Sequence, residues 1–262
     1  MQEIIITTVV IGVIGLIIGI ALVAAGKKFY VAVDEKAIAV RECLPGNNCG
    51  ACGYAGCDAV AAAIAAGDAP VNACPVCSAD VVAKIGGVMG VEAEAAQRKT
   101  AQVKCSGDCE HTSAKCNYVG IEDCRAAALA GLNTGSCTFG CLGFGSCVKA
   151  CTYDAIHVVN GVAKVDTSKC VGCGMCAKAC PKGLIEVVRA DRAFVVQCSN
   201  KDRGPAVKKV CSAGCLGCGA CVKQCEHDAI HVEGNLAYID YDKCVGCGKC
   251  AEKCPAKNIV RQ

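Results

Sequence analysis

The chain has 262 residues, 28 of them cysteine, with no Trp, four Phe and six Tyr. Small domains so poor in large side chains cannot bury enough apolar surface to be stable unaided, so metal must hold them. The formal charge is only +3. Metal binds cysteine as thiolate, so metal sites on these cysteines would add negative charge, the lysines serve as counter-charges, and no nucleic-acid function follows from them. The grouping of cysteines into quartets speaks against a secreted disulfide scaffold and for reduced thiols in a cytosol-like compartment.

Residues 1–28 read as a transmembrane anchor. Ile4 to Ala25 contains no charged residue, and 22 helical residues span the hydrocarbon core of roughly 30 Å. The run is too long for a signal peptide and Glu3 precedes it in place of a basic n-region. Lys27 and Lys28 then place the remainder on the cytoplasmic side of a single-pass cell membrane protein. Gly12, Gly15 and Gly19 form a small-residue stripe suited to close helix contact.

Residues 29–100 read as a small four-cysteine domain. Phe29 to Arg41 is expected to be a connector with some alternation. The loop Cys49-Gly-Ala-Cys52-Gly-Tyr-Ala-Gly-Cys57 and the later Cys74-Pro75 make a [4Fe–4S] quartet. An Ala-rich helix is expected over 58–66, stopped by Gly67. Cys43 and Cys77 read as small buried apolar residues. A second helix should begin at Ser78 and break at Gly86-Gly87, with a polar stretch from Glu92 to Lys104.

Residues 101–136 are irregular. Cys105, Cys109, Cys116 and Cys124 are spaced C-x3-C-x6-C-x7-C, which matches no standard motif, and a helix is expected from Arg125 to Leu132. A cluster on Cys105, Cys109 and Cys124 takes its fourth ligand from Cys116, which closes the shorter loop, or from Cys198, which has no other obvious partner.

From Cys137 the chain repeats at an offset of 74 residues, giving two tandem ferredoxin domains, 137–196 and 197–262. Cys170, Cys173, Cys176 and Cys180-Pro181 recur as Cys244, Cys247, Cys250 and Cys254-Pro255, the spacing of bacterial two-cluster ferredoxins, in which the fourth cysteine of a run ligates the other cluster. Crossed ligation assigns Cys180 to Cys137, Cys141 and Cys147, and Cys151 to Cys170, Cys173 and Cys176. It likewise assigns Cys254 to Cys215, Cys218 and Cys221, and Cys225 to Cys244, Cys247 and Cys250. The first copy has Phe144 where the second has Cys218, so Cys211 is either surplus or a substitute for Cys218. Asn160-Gly161 and Gly234-Asn235 mark a hairpin in each copy, with His157 and His231 on its strand surface.

The fold class expected is therefore α+β: one N-terminal transmembrane helix, a four-cysteine iron–sulfur domain and two 2[4Fe–4S] ferredoxin domains, with about six clusters in all. No Walker loop and no G-x-G-x-x-G fingerprint is found, so the chain carries electrons and makes no bond in an organic substrate. A zinc-stabilised scaffold would use separated C-x2-C pairs instead.

The LPGNNCGACGYAGC stretch with Cys74-Pro75, the membrane helix and the ferredoxin runs together resemble the B subunit of Rnf complexes, in the longer clostridial form. The resemblance covers essentially the whole chain. It implies one component of a membrane-bound, Na+- or H+-pumping ferredoxin:NAD+ oxidoreductase. Reduced ferredoxin would be the donor, with flavin and nicotinamide chemistry on other subunits. Electrons would enter the ferredoxin domains and leave through the Cys49-to-Cys74 domain nearest the membrane. Cysteine at position 116 is not reliably present in that family, which favours Cys198 for the irregular site. A membrane-anchored polyferredoxin serving another reductase or hydrogenase is the alternative. Residues 141–262 carry 17 Lys and Arg against 11 Asp and Glu, and Lys201, Arg203, Lys208 and Lys209 are the expected docking patch for an acidic ferredoxin.

Overall fold

The computed structural model describes residues 2–28, 34–92 and 97–262. Helix α1 runs Gln2–Lys28. Side chains are described for Ile6 and residues 12–26 of it, and every one is exposed, Leu16 at 66% and Ile17 at 61%. Among the described residues no helix is long and apolar enough to cross a membrane.

Three helices follow: α2 (Glu35–Cys43), α3 (Cys57–Ala66) and α4 (Ala79–Met89). Helix α2 corrects the expected connector, whose alternating residues 30–33 lie outside the described ones. Asp34 caps it by accepting the Lys36 N–H, and Val40 is wholly buried against Val60, Ile64 and Ile85. That burial outweighs the weak local signal. Helix α3 ends at Gly67, as expected from its left-handed φ of 83°, with its N–H returning to Ala63 and Ile64. Helix α4 runs through Gly86-Gly87 instead of breaking there and stops at Gly90. Gly86 is buried on its packed face, and tertiary contact offsets the propensity cost of about 1 kcal/mol per glycine.

Strand β1 (Lys99–Val103) replaces the end of the expected polar stretch. Its burial from Thr100 onward comes from pairing far along the chain. After it come α5 (Cys124–Leu129), α6 (Ser146–Lys149), β2 (Ile156–Val159), β3 (Val162–Val165), α7 (Met175–Ala179) and β4 (Ile185–Arg189). Helix α5 stops three residues short of the expected Leu132. The last part of the chain supplies β5 (Phe194–Val196), α8 (Gly204–Val210), α9 (Ala220–Gln224), β6 (Ile230–Glu233), β7 (Leu236–Ile239), α10 (Lys249–Glu252) and β8 (Ile259–Arg261).

The strands form four antiparallel pairs, β1·β4, β2·β3, β5·β8 and β6·β7. Asn160-Gly161 and Gly234-Asn235 turn the β2–β3 and β6–β7 hairpins with positive φ at both residues, the conformation a two-residue hairpin needs. Each ferredoxin unit is thus one hairpin plus one ribbon, and the ribbon's first strand comes from before the cysteine runs. Residues 99–103 meet 185–189 in the first unit, and 194–196 meet 259–261 in the second. His157 and His231 lie on β2 and β6 with partly exposed side chains, next to Asp154 and Asp228.

Candidate metal centres

The second ferredoxin unit follows the crossed pattern. Cys225, Cys244, Cys247 and Cys250 line one cavity. The buried Cys221 thiol has Cys215 and Cys254 as electrostatic neighbours, and desolvation pushes it up to about 11. In the first unit Cys151 joins Cys170 and Cys173 around Cys176, whose thiol burial also pushes up to about 11. The local geometry explains these meetings. Each triplet ends on a short helix entered through a glycine with positive φ (Gly145, Gly174, Gly219, Gly248), so its last cysteine turns back towards the loop. Backbone N–H groups point at sulfur, Ala101 to Cys170 at 3.2 Å and Ala229 to Cys225 at 3.4 Å. Such donors stabilise thiolate ligands and tune the metal they hold.

In the remaining half of the first unit, Cys141, Cys147 and Cys180 line a cavity together with Cys124, not with Cys137. Desolvation pushes Cys147 up to about 12, and Cys141, Cys124 and Cys180 are its neighbouring thiols. Cys137 faces a different cavity, with Cys105, Cys198 and Cys211. The structure therefore does not bring Cys105, Cys109 and Cys124 together. Cys109 is exposed, with its sulfur 2.9 Å from where a Cβ on Gly161 would lie. Cys116 is exposed too, 3.6 Å from the Asn133 carbonyl.

In the four-cysteine domain Asn48 accepts the Cys57 N–H at 2.7 Å, tying the loop to the start of α3. Cys57 and Cys74 belong to one apolar cluster, and Cys43, Cys52 and Cys77 pack half-buried against it. Hydrogen bonding from the Cys77 thiol lowers Cys74 to about 6. This domain abuts the first ferredoxin unit. The Asn47 amide donates to the Tyr153 hydroxyl, which desolvation and the nearby Cys49, Cys173 and Cys74 thiols push up to about 12.

Among the described residues no three His, Cys, Asp or Glu side chains converge on a single metal ion. A mononuclear site needs thiolates about 2.3 Å from one centre, whereas a cubane spreads four of them around a larger core. Buried and half-buried thiols that line shared cavities, with N–H donors aimed at sulfur, fit the latter. Sequence reasoning did not place Cys124 with Cys141, Cys147 and Cys180, nor Cys211 with Cys105, Cys137 and Cys198, and the one signal that points to the first is the gap at Phe144.

The "Putative Fe-S cluster" family model matches residues 44–76, the "4Fe-4S binding domain" model 163–186 and the "4Fe-4S dicluster domain" model 214–258. The chain is 45% identical over 235 residues to the B subunit of the Na(+)-translocating ferredoxin:NAD(+) oxidoreductase complex of Acetobacterium woodii, covering 89% of this chain and 71% of that protein. It is 41% identical to the B subunit of the proton-translocating ferredoxin:NAD(+) oxidoreductase complex of Clostridium ljungdahlii, covering 92% and 85%. Against the B subunit of the ion-translocating oxidoreductase complex of Methanosarcina acetivorans it is 39% identical over 94% of both chains. With cysteine-lined centres of this kind and such identity along most of its length, the chain belongs to the B-subunit family of ion-translocating ferredoxin:NAD(+) oxidoreductase complexes.

Proposed function

We propose that this chain is the electron-carrying component of such a complex. It takes electrons from reduced ferredoxin and relays them through about six [4Fe–4S] clusters towards membrane partners that reduce NAD+ and move Na+ or H+. The clusters supply one-electron chemistry at potentials set by hydrogen bonds to sulfur, burial and charge. The protein's part is to fix the thiolates, aim N–H groups at them and keep successive centres close.

The observation that carries this reading is the meeting of distant thiols in the crossed pattern, Cys151 with Cys170, Cys173 and Cys176, and Cys225 with Cys244, Cys247 and Cys250. The quartet Cys215, Cys218, Cys221 and Cys254 and the quartet Cys49, Cys52, Cys57 and Cys74 complete the standard sets. The Asn47–Tyr153 bond supports a path between the four-cysteine domain and the first ferredoxin unit. The uncovered apolar side chains of α1 support a single-pass anchor, with Lys27 and Lys28 holding the following domains in the cytoplasm.

Anaerobically purified full chain should be brown and be reduced by catalytic amounts of ferredoxin kept reduced by its own reductase. A colourless, iron-free protein would sink the electron-transfer reading.

A further inference from the structure

The two ferredoxin units each carry a pair of cysteines that no quartet of their own uses. One follows the ribbon strand by two residues, Val103-Lys104-Cys105 in the first unit and Val196-Gln197-Cys198 in the second. The other stands four residues before the triplet, Cys137 before Cys141 and Cys211 before Cys215. A pair cannot hold a cubane, but the fold sets the two pairs against each other in one cavity.

The contacts between the two loops are reciprocal. Ser106 Oγ donates to the Gln197 side chain at 2.7 Å, and Ser199 Oγ, its counterpart, donates to the Lys104 carbonyl at 3.0 Å. Lys104 N–H bonds Leu184 and Gln197 N–H bonds Asn258 in the same way, so both loops leave matching strand ends. A Cβ on Gly107 would lie 3.4 Å from the Cys211 sulfur and 3.7 Å from that of Cys105, which brings thiols from the two units to one stretch of backbone.

Asn200 is only 2% exposed. Its backbone N–H donates to the Cys198 sulfur and its Nδ2 to the Cys137 sulfur, each at 3.5 Å, while its Oδ1 accepts the Asp202 N–H. The Cys215 N–H adds a second donor to Cys198 at 3.3 Å. A buried asparagine whose backbone N–H and side-chain amide each go to a sulfur from a different unit is what a thiolate site requires.

The same arrangement frees Cys124. Asp123 caps α5 by accepting the Arg125 and Ala126 N–H groups, and Ser146 Oγ accepts the Cys124 N–H while donating to Asp123. This fastens Cys124 to the helix that carries Cys147. Phe144, standing where the second unit has Cys218, packs with Tyr118 against the apolar cluster that includes Cys124.

We propose that Cys105, Cys137, Cys198 and Cys211 hold a [4Fe–4S] cluster shared between the two ferredoxin units, and that Cys124 supplies the ligand the first unit lacks at Phe144. None of these five cysteines lies within a matched family model. The inference rests on the iron–sulfur reading above. It makes the shared cluster both the bridge between the two units and the brace that fixes their geometry.

The test counts iron and acid-labile sulfide in the anaerobically purified full chain, with electron paramagnetic resonance of the reduced protein. Cys211→Ala should lower iron by about four per chain, and adding Cys137→Ala should lower it no further. Cys124→Ala should also lose about four irons, and Cys124→Ala with Phe144→Cys should regain them, because the pair restores the standard triplet. Cys109→Ala and Cys116→Ala should leave iron unchanged. Full iron in Cys211→Ala would overturn the shared site, and failure of Phe144→Cys to restore iron would overturn the role of Cys124. Should Cys211→Ala lose all its iron by misfolding, Cys211→Ser decides: a changed signal from one cluster supports the shared site, and an unchanged spectrum overturns it. A wild-type chain without iron would instead defeat the underlying electron-transfer reading.

Discussion

Single residues carry much of this fold because backbone runs close to backbone around each centre. Gly217 has a φ of 62°, and a Cβ there would lie 2.6 Å from the Asn235 carbonyl oxygen. Gly217→Ala should therefore cost about 1–3 kcal/mol of local stability, seen as earlier bleaching of one cluster under denaturant. Bleaching identical to wild type would show that the turn can shift. Asn200 acts differently. Its N–H groups favour the more negative, reduced state of the centre they face, so Asn200→Ala should keep the iron and lower the midpoint potential of one cluster. A potentiometric titration that leaves all midpoints in place would count against that role.

Among the elements, helix α2 shows how far packing can override local signals. Phe29 to Arg41 contains little helical periodicity, yet Val40 is fully buried between α3 and α4. Val40→Ala deletes buried methyl groups and leaves a cavity, a loss of about 2 kcal/mol. Iron in the four-cysteine domain should then be released at lower denaturant, with the ferredoxin centres unaffected. Strand β1 teaches the same lesson, since Thr100 and Gln102 are polar but buried by pairing with β4 more than eighty residues later. Apolar alternation marked the hairpin strands, which close locally, and failed for ribbon strands that close across the whole unit.

For the molecule as a whole, the proposed electron path makes two surfaces testable. Lys201, Arg203, Lys208 and Lys209 are all exposed, on α8 and the loop before it. Lys208→Glu with Lys209→Glu should slow reduction by ferredoxin at least a few-fold at low ionic strength, with the gap closing as salt screens the field. Equal rates at low salt would move the docking site elsewhere. At the other end, removal of residues 1–28 should leave the iron content intact and release the protein from membranes into the soluble fraction. Retention in the membrane would mean that partner proteins of the complex, not α1, hold it there.

The sequence by itself determined the chemistry. Thiolate spacing is a local property, so the iron–sulfur runs, the hairpin turns and the apolar N-terminal helix could be read from neighbours along the chain. Only the tertiary structure decided which thiols share a cavity where the spacing is irregular. Cys105 and Cys211 are brought together by strands that pair over eighty and sixty residues, and Cys124 enters the first unit through a cap and a serine bridge. Spacing along the chain says nothing about two loops from separate units, because their distance is set by how the units pack and not by the residues between them.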